Sequence, residues 1–123
     1  MGLHEDRGDL SPGTLDRHRG IVSLMEELEA MDWYAQRIDA AGDPELAAVL
    51  AHNRDEETEH AAMSLEWLRR QDPVLDAQLR QYLFTTGSIL EVEEAEAHGG
   101  GGGASPAGDG SLGIGSLRGR DGR

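Results

Sequence analysis

The sequence predicts an all-α fold: an antiparallel two-helix hairpin with short helices after it, pairing with a second copy into a four-helix bundle. Three observations lead there. Apolar residues recur at three- and four-residue intervals over two stretches of nearly equal length. An Asp-Pro pair closes each stretch, and no segment alternates apolar and polar residues as a strand would.

Residues 1–13 are polar, with Gly8, Pro12 and Gly13, and read as a flexible lead. From Thr14 to about Ala41 the apolar positions are Ile21, Leu24, Leu28, Met31, Ala35 and Ile38, one face of a helix. Gly42 suits its C-terminal cap, and Asp43 followed by Pro44 is an N-cap with proline at the first helical position. The second helix carries the stripe Leu46, Leu50, Asn53, Glu57, His60, Ser64 and Trp67, and ends where Asp72 and Pro73 repeat the signal. A shorter helix is expected from Pro73 to about Phe84. Ser88 with Glu91 resembles a capping box opening a last segment to Ala97. The helical domain is thus 14–97. From His98 on, 11 of 26 residues are glycine, which divides the remainder into a linker, 98–110, and a terminal segment, 111–123.

A hairpin with one apolar face has nothing in its own chain large enough to cover that face, so pairing is expected. Trp33, Tyr34 and Trp67 are most simply packing residues of the core or interface.

Charge and composition exclude several function classes. The chain has 24 Asp and Glu against 11 Arg, no lysine, and a net charge of −13. Such a surface repels nucleic acid and anionic membrane while drawing in cations. No basic segment leads into an apolar stretch at the N-terminus and no apolar run has the length of a membrane span, so a soluble cytoplasmic protein is expected. There is no cysteine, and a metal would have to be held by oxygen and imidazole nitrogen.

The stripe of the second helix is apolar at its start and ends in tryptophan, yet its middle is Asn53, Glu57 and His60. A buried carboxylate is costly unless paired or bound to a cation. Glu followed three residues later by His on a helix directs two ligands at one place, although helices rich in glutamate match this spacing often without binding anything. Glu27, on the first helix, strengthens the pattern. With the turn centred on Gly42, Glu27 and Glu57 each lie 15 residues from it, or about 22 Å along a helix. Gly20, Ser23, Ala30 and Tyr34 share the stripe of Glu27, mostly small residues that leave room for a metal.

A di-metal carboxylate centre of the ferritin-like kind needs a Glu from each of two helices and a Glu-x-x-His from each of two others. One chain supplies one of each, so two chains about a two-fold axis supply Glu27, Glu57 and His60 twice, around two metals. Four carboxylates then balance two divalent ions. The donor set suits iron or manganese, and zinc or calcium could occupy it. Beside it, Glu26 and Glu29 share a stripe with Val22 and Trp33. They are either solvated surface or a looser metal site on the approach to the centre. His4, His18, His52 and His98 have no comparable partners.

The segments MEELEAMDWYAQR (25–37), HNRDEETEHAAMSLEWLRR (52–70) and QYLF (81–84) closely resemble the encapsulated ferritins, cargo proteins of encapsulin nanocompartments. The resemblance implies helical hairpins that pair into dimers and assemble into an open ring, a decamer. It also implies a ferroxidase centre at the dimer interface that oxidises Fe(II) to Fe(III) with dioxygen, leaving storage to the surrounding shell. Its ligands fall on Glu27, Glu57 and His60, its outer metal site on Glu26 and Glu29 with Trp33 close by, and Tyr34 matches a position where a phenol holds a ligand carboxylate. SLGIGSLR, with Leu112, Ile114 and Leu117, is similar to the targeting peptides that dock on the inner wall of the shell. GRDGR extends beyond that motif.

The expectation is therefore a ferroxidase serving iron storage inside an encapsulin shell. Two alternatives stand beside it: a rubrerythrin-like di-iron peroxidase, and a non-catalytic acidic cargo protein that only binds metal.

Overall fold

The structure, a computed structural model, describes residues 2–99. Among these residues there is a 3₁₀ turn at Arg7–Asp9 followed by four α-helices, α1 Pro12–Ala40, α2 Pro44–Gln71, α3 Pro73–Tyr82 and α4 Ile89–Gly99, and no strand. Helices α1 and α2 belong to one compact unit that ends at Gln71, and Asp72 opens a second.

Each boundary has a local cause. Ser11 is in extended conformation and its hydroxyl accepts from the Thr14 backbone N–H at 3.1 Å, with Pro12 next to it, so α1 starts inside the segment expected to be a flexible lead. At the other end Gly42 is not the expected left-handed cap. The helix stops because Ala41 turns extended, its N–H still reaching Ile38 O at 3.3 Å, and Asp43 immediately caps α2 by accepting from Leu46 N at 2.8 Å. Asp72 caps α3 in the same way, through bonds of 3.0 Å from both Val74 N and Leu75 N. Helix α3 ends at Tyr82, two residues short of the expected Phe84. Phe84 itself has φ +63°, and Gly87 follows at φ +84°, so the chain passes through the left-handed region twice before α4. Ser88 then accepts from Glu91 N at 3.4 Å, the half of the capping box that closes on the backbone.

Helices α1 and α2 pack along their lengths. On α1 the residues drawn out of solvent along this seam are Gly20, Leu24, Glu27, Met31, Tyr34 and Ile38; on α2 they are Ala47, Leu50, Arg54, Glu57, Ala61, Ser64 and Leu68. Both series step by three and four, the spacing of knobs fitting into holes. The seam differs from the expected apolar stripe: Ile21 and Leu28 lie one face round from it and remain 46% and 49% exposed. Gly20 explains the rotation. A methyl group there would sit 3.0 Å from Cζ3 of Trp67 and 3.2 Å from Cδ2 of Leu68, so only a residue without a side chain lets α2 approach on this face.

Ala61 and Leu68 are the only buried apolar side chains among the described residues, while Met25, Leu28, Leu46, Val49, Met63 and Trp67 stay open to solvent. Covering one large apolar side chain stabilises by about 1.5–3 kcal/mol. The single hairpin leaves most of that gain unrealised.

Candidate metal centre

The three candidate ligands lie on the hairpin as the seam dictates. Glu57 is half-buried in it, one face round stands His60, and the intervening turn brings His60 Nδ1 to 3.5 Å from Glu57 Oε1. Glu27 enters the seam from α1 between Leu24 and Met31, and its Oε1 accepts a hydrogen bond of 2.7 Å from the Ser64 hydroxyl of α2. Ser64 is four residues beyond His60 and seven beyond Glu57, so the hydroxyl that meets Glu27 stands on the same side of α2 as the Glu57–His60 pair.

Two contacts lock α1 against α2 on this side: Gly20 lies against the side chains of Trp67 and Leu68, and seven residues on, Glu27 meets Ser64. Within the single chain the donors remain dispersed: among the described residues no group of three or more His, Asp or Glu is arranged to hold a metal ion.

Glu26 and Glu29 are exposed on α1, as is Trp33 at 48%. Tyr34 is half-buried two turns from Glu27, with the Arg37 guanidinium 5.3 Å from its ring centroid. Further along α2, Glu66 takes bonds of 2.7–2.8 Å from Arg69 and Arg70. Those bonds, that of Arg69 foremost, pull its carboxyl from the ordinary 4.5 down to about 2. This cluster ties down the last turn of α2 next to Trp67 and Leu68, whose contact with Gly20 fixes the register. His52 stands 3.9 Å from Glu56, away from the seam and exposed. Leu112, Ile114 and Leu117 lie outside the described residues. Among the described helices none is long and apolar enough to cross a membrane.

The spacing of α2 puts Ser64 on the stripe of Glu57 without pointing to a role for it, and of that stripe Leu46, His60 and Trp67 are exposed while Ser64 is half-buried. Its signal was its position, one turn past His60, where a small hydroxyl faces the carboxylate-bearing seam of α1.

A helical hairpin that carries carboxylates and an imidazole beside its seam, with Ala61 and Leu68 the only buried apolar side chains among the described residues, defines the class: a ferritin-like helical protein. The comparisons with known proteins identify the group within it. Residues 2–86 match the EncFtn-like family, and the chain belongs to that family. It is 60% identical over 122 residues to the encapsulated ferritin-like protein of Rhodospirillum rubrum, covering 94% of this chain and 87% of that one. It is 47% identical over 114 residues to a ferritin-like protein of Thermotoga maritima, covering 93% and 96%. A shorter match, 37% over 79 residues, covers 60% of this chain and 61% of the encapsulin nanocompartment cargo protein EncC of Myxococcus xanthus. Among solved structures, protein ne0167 from Nitrosomonas europaea superposes with a TM-score of 0.70 at 58% identity, over 72% of this chain and 98% of that one.

Proposed function

We propose that this protein is a ferroxidase. Two copies pair to bring Glu27, Glu57 and His60 of each around two Fe(II) ions, the substrate, whose electrons pass to dioxygen. The observation that carries the reading is the Glu57–His60 pair, 3.5 Å apart on α2, with Glu27 held in the adjacent seam. Its donors fit iron: four carboxylates and two imidazoles per pair are hard and borderline ligands suited to a first-row divalent ion, and the carboxylate charge offsets that of two such ions. When bound, iron supplies the redox chemistry. The protein's part is to hold the ions in one seat through the His60 imidazole and the Glu27 and Glu57 side chains, and to keep that seat between two chains. The exposed acids Glu26 and Glu29, on the Trp33 side of α1, form an outer site through which ions approach.

Two relatives are named as encapsulated or as encapsulin cargo. On that likeness this chain is cargo too, with Leu112, Ile114 and Leu117 filling apolar grooves of a shell protein and the pairs assembled as a ring of ten chains.

Anaerobic loading with Fe(II) followed by admission of oxygen tests the enzyme. Rapid oxidation by the wild type with about one iron per chain, lost in Glu27→Ala, Glu57→Ala and His60→Ala, is expected. Oxidation no faster than in buffer, or equal in all four proteins, would leave an acidic metal-binding protein and remove the ferroxidase. Removing residues 111–123 is expected to leave oxidation intact and abolish packaging on co-expression with a shell protein. A truncated protein that is still packaged contradicts the role given to the tail.

A further inference from the structure

We propose that Ser64 is a positioning residue for the metal centre: its hydroxyl sets the Glu27 carboxylate in the orientation in which that carboxylate meets the ion. The inference rests on the reading of Glu27 as a ligand given above.

Serine and threonine inside helices tend to return the hydroxyl to the carbonyl four residues back, and Thr58 in this same helix does so, donating to Arg54 O at 2.9 Å. Ser64 does not. It donates across the seam to Glu27 Oε1 at 2.7 Å, joining residues 37 apart in sequence. A bond of this length from a hydroxyl to a carboxylate is of the charge-assisted kind, shorter and stronger than a bond between neutral groups.

Its effect on Glu27 is specific. A glutamate side chain turns about three bonds, and at an exposed site it samples many rotamers, each presenting the carboxylate elsewhere. Here both partners are half-buried, and the hydroxyl occupies one lone pair of Oε1. The other lone pair of Oε1 and both of Oε2 stay open, so the group is oriented without being used up. Because Ser64 lies on the same side of α2 as Glu57 and His60, the oriented carboxylate belongs to the same side of the hairpin as the pair it has to join. Partners of this kind, which bind the ligand and not the metal, typically carry about 10–100-fold in metal affinity.

The test uses the full-length protein and Co(II), whose visible absorption reports binding without turnover, next to Fe(II) oxidation kinetics and melting curves. Ser64→Ala, Ser64→Thr and Glu27→Ala are compared with the wild type. In Ser64→Ala, Co(II) affinity is expected to fall about tenfold or more and KM for Fe(II) to rise in parallel with kcat little changed. Ser64→Thr, which keeps the hydroxyl, is expected to restore both. Wild-type Co(II) affinity in Ser64→Ala, with or without a lower melting temperature, overturns the inference while weak binding by Glu27→Ala leaves the centre standing. Tighter binding in Ser64→Ala overturns it as well, since the hydroxyl would then hold Glu27 back from the ion. Wild-type Co(II) affinity in Glu27→Ala removes Glu27 from the ligand set, and the inference falls with that reading.

Discussion

Gly20→Val tests the seam on which the whole site depends. The added Cβ alone would stand 3.0 Å and 3.1 Å from Cζ3 and Cε3 of Trp67 and 3.2 Å from Cδ2 of Leu68, closer than apolar carbons pack, and valine adds two methyl groups beyond it. Overpacking of this kind costs about 1–3 kcal/mol. Valine is a better helix former than glycine by roughly 0.4 kcal/mol, which offsets a small part. The expected net loss is about 0.5–2.5 kcal/mol, and for a domain of this size each kcal/mol lowers the melting temperature by about 4–8 °C. Trp67→Ala alone leaves a void, but in the Gly20→Val background it gives the new side chain room, so the double variant should be more stable than the sum of the single effects by at least about 0.5 kcal/mol. Thermal and urea melts of the four proteins at one fixed protein concentration measure this cycle. A Gly20→Val protein as stable as the wild type, or strictly additive effects, would mean that Gly20 does not face Trp67.

Other perturbations reach the remaining parts of the structure. Glu66 has a folded pKa of about 2 against an ordinary 4.5, so its bonds to Arg69 and Arg70 stabilise the fold fully above pH 4.5. That contribution declines as pH falls from 4.5 and is nearly gone at about 2. The melting-temperature gap between wild type and Glu66→Gln at low salt should therefore be present at pH 7 and close at pH 2, and a gap of equal size at both would refute the cause. Asp72→Ala removes the acceptor for two backbone N–H groups of α3 and should cost about 1 kcal/mol. Amide exchange at Val74 and Leu75 checks this, with unchanged protection as the contrary result. Because the proposed ligands come from two chains, Fe(II) or Co(II) should raise the assembled fraction in light scattering and a chelator should lower it; a mass distribution indifferent to both would contradict a shared centre.

Much of this fold was legible because its signals are local. Asp43-Pro44 and Asp72-Pro73 mark helix starts through side-chain bonds to nearby backbone, and both work as the residues suggest. Where the signal was not local, the reading slipped. Gly42 seemed a C-cap by type, but Ala41 ended the helix first. Ile21 and Leu28 fit a stripe by spacing, but which face of α1 meets α2 is decided by the contact of Gly20 with Trp67, a pairing that neither helix announces by itself. The same holds for the candidate site. Glu57 and His60 were visible as a pair because i and i+3 share a face. The bond from Ser64 to Glu27 was not, since it depends on the register between two helices.

The openness of this hairpin has a practical consequence. The chain has two tryptophans, Trp33 at 48% and Trp67 at 39% exposure, one on each long helix. Indole emission moves to shorter wavelength when water is replaced by apolar surroundings. The protein thus contains its own optical reporters: Trp67, lodged against Gly20, follows the integrity of the seam, and Trp33, next to the outer acids, follows whatever comes to cover α1. With Trp33→Phe and Trp67→Phe separating the two signals, folding of the hairpin and the covering of α1 in the proposed pair can be timed independently in parallel stopped-flow traces of the two variants, with no dye attached.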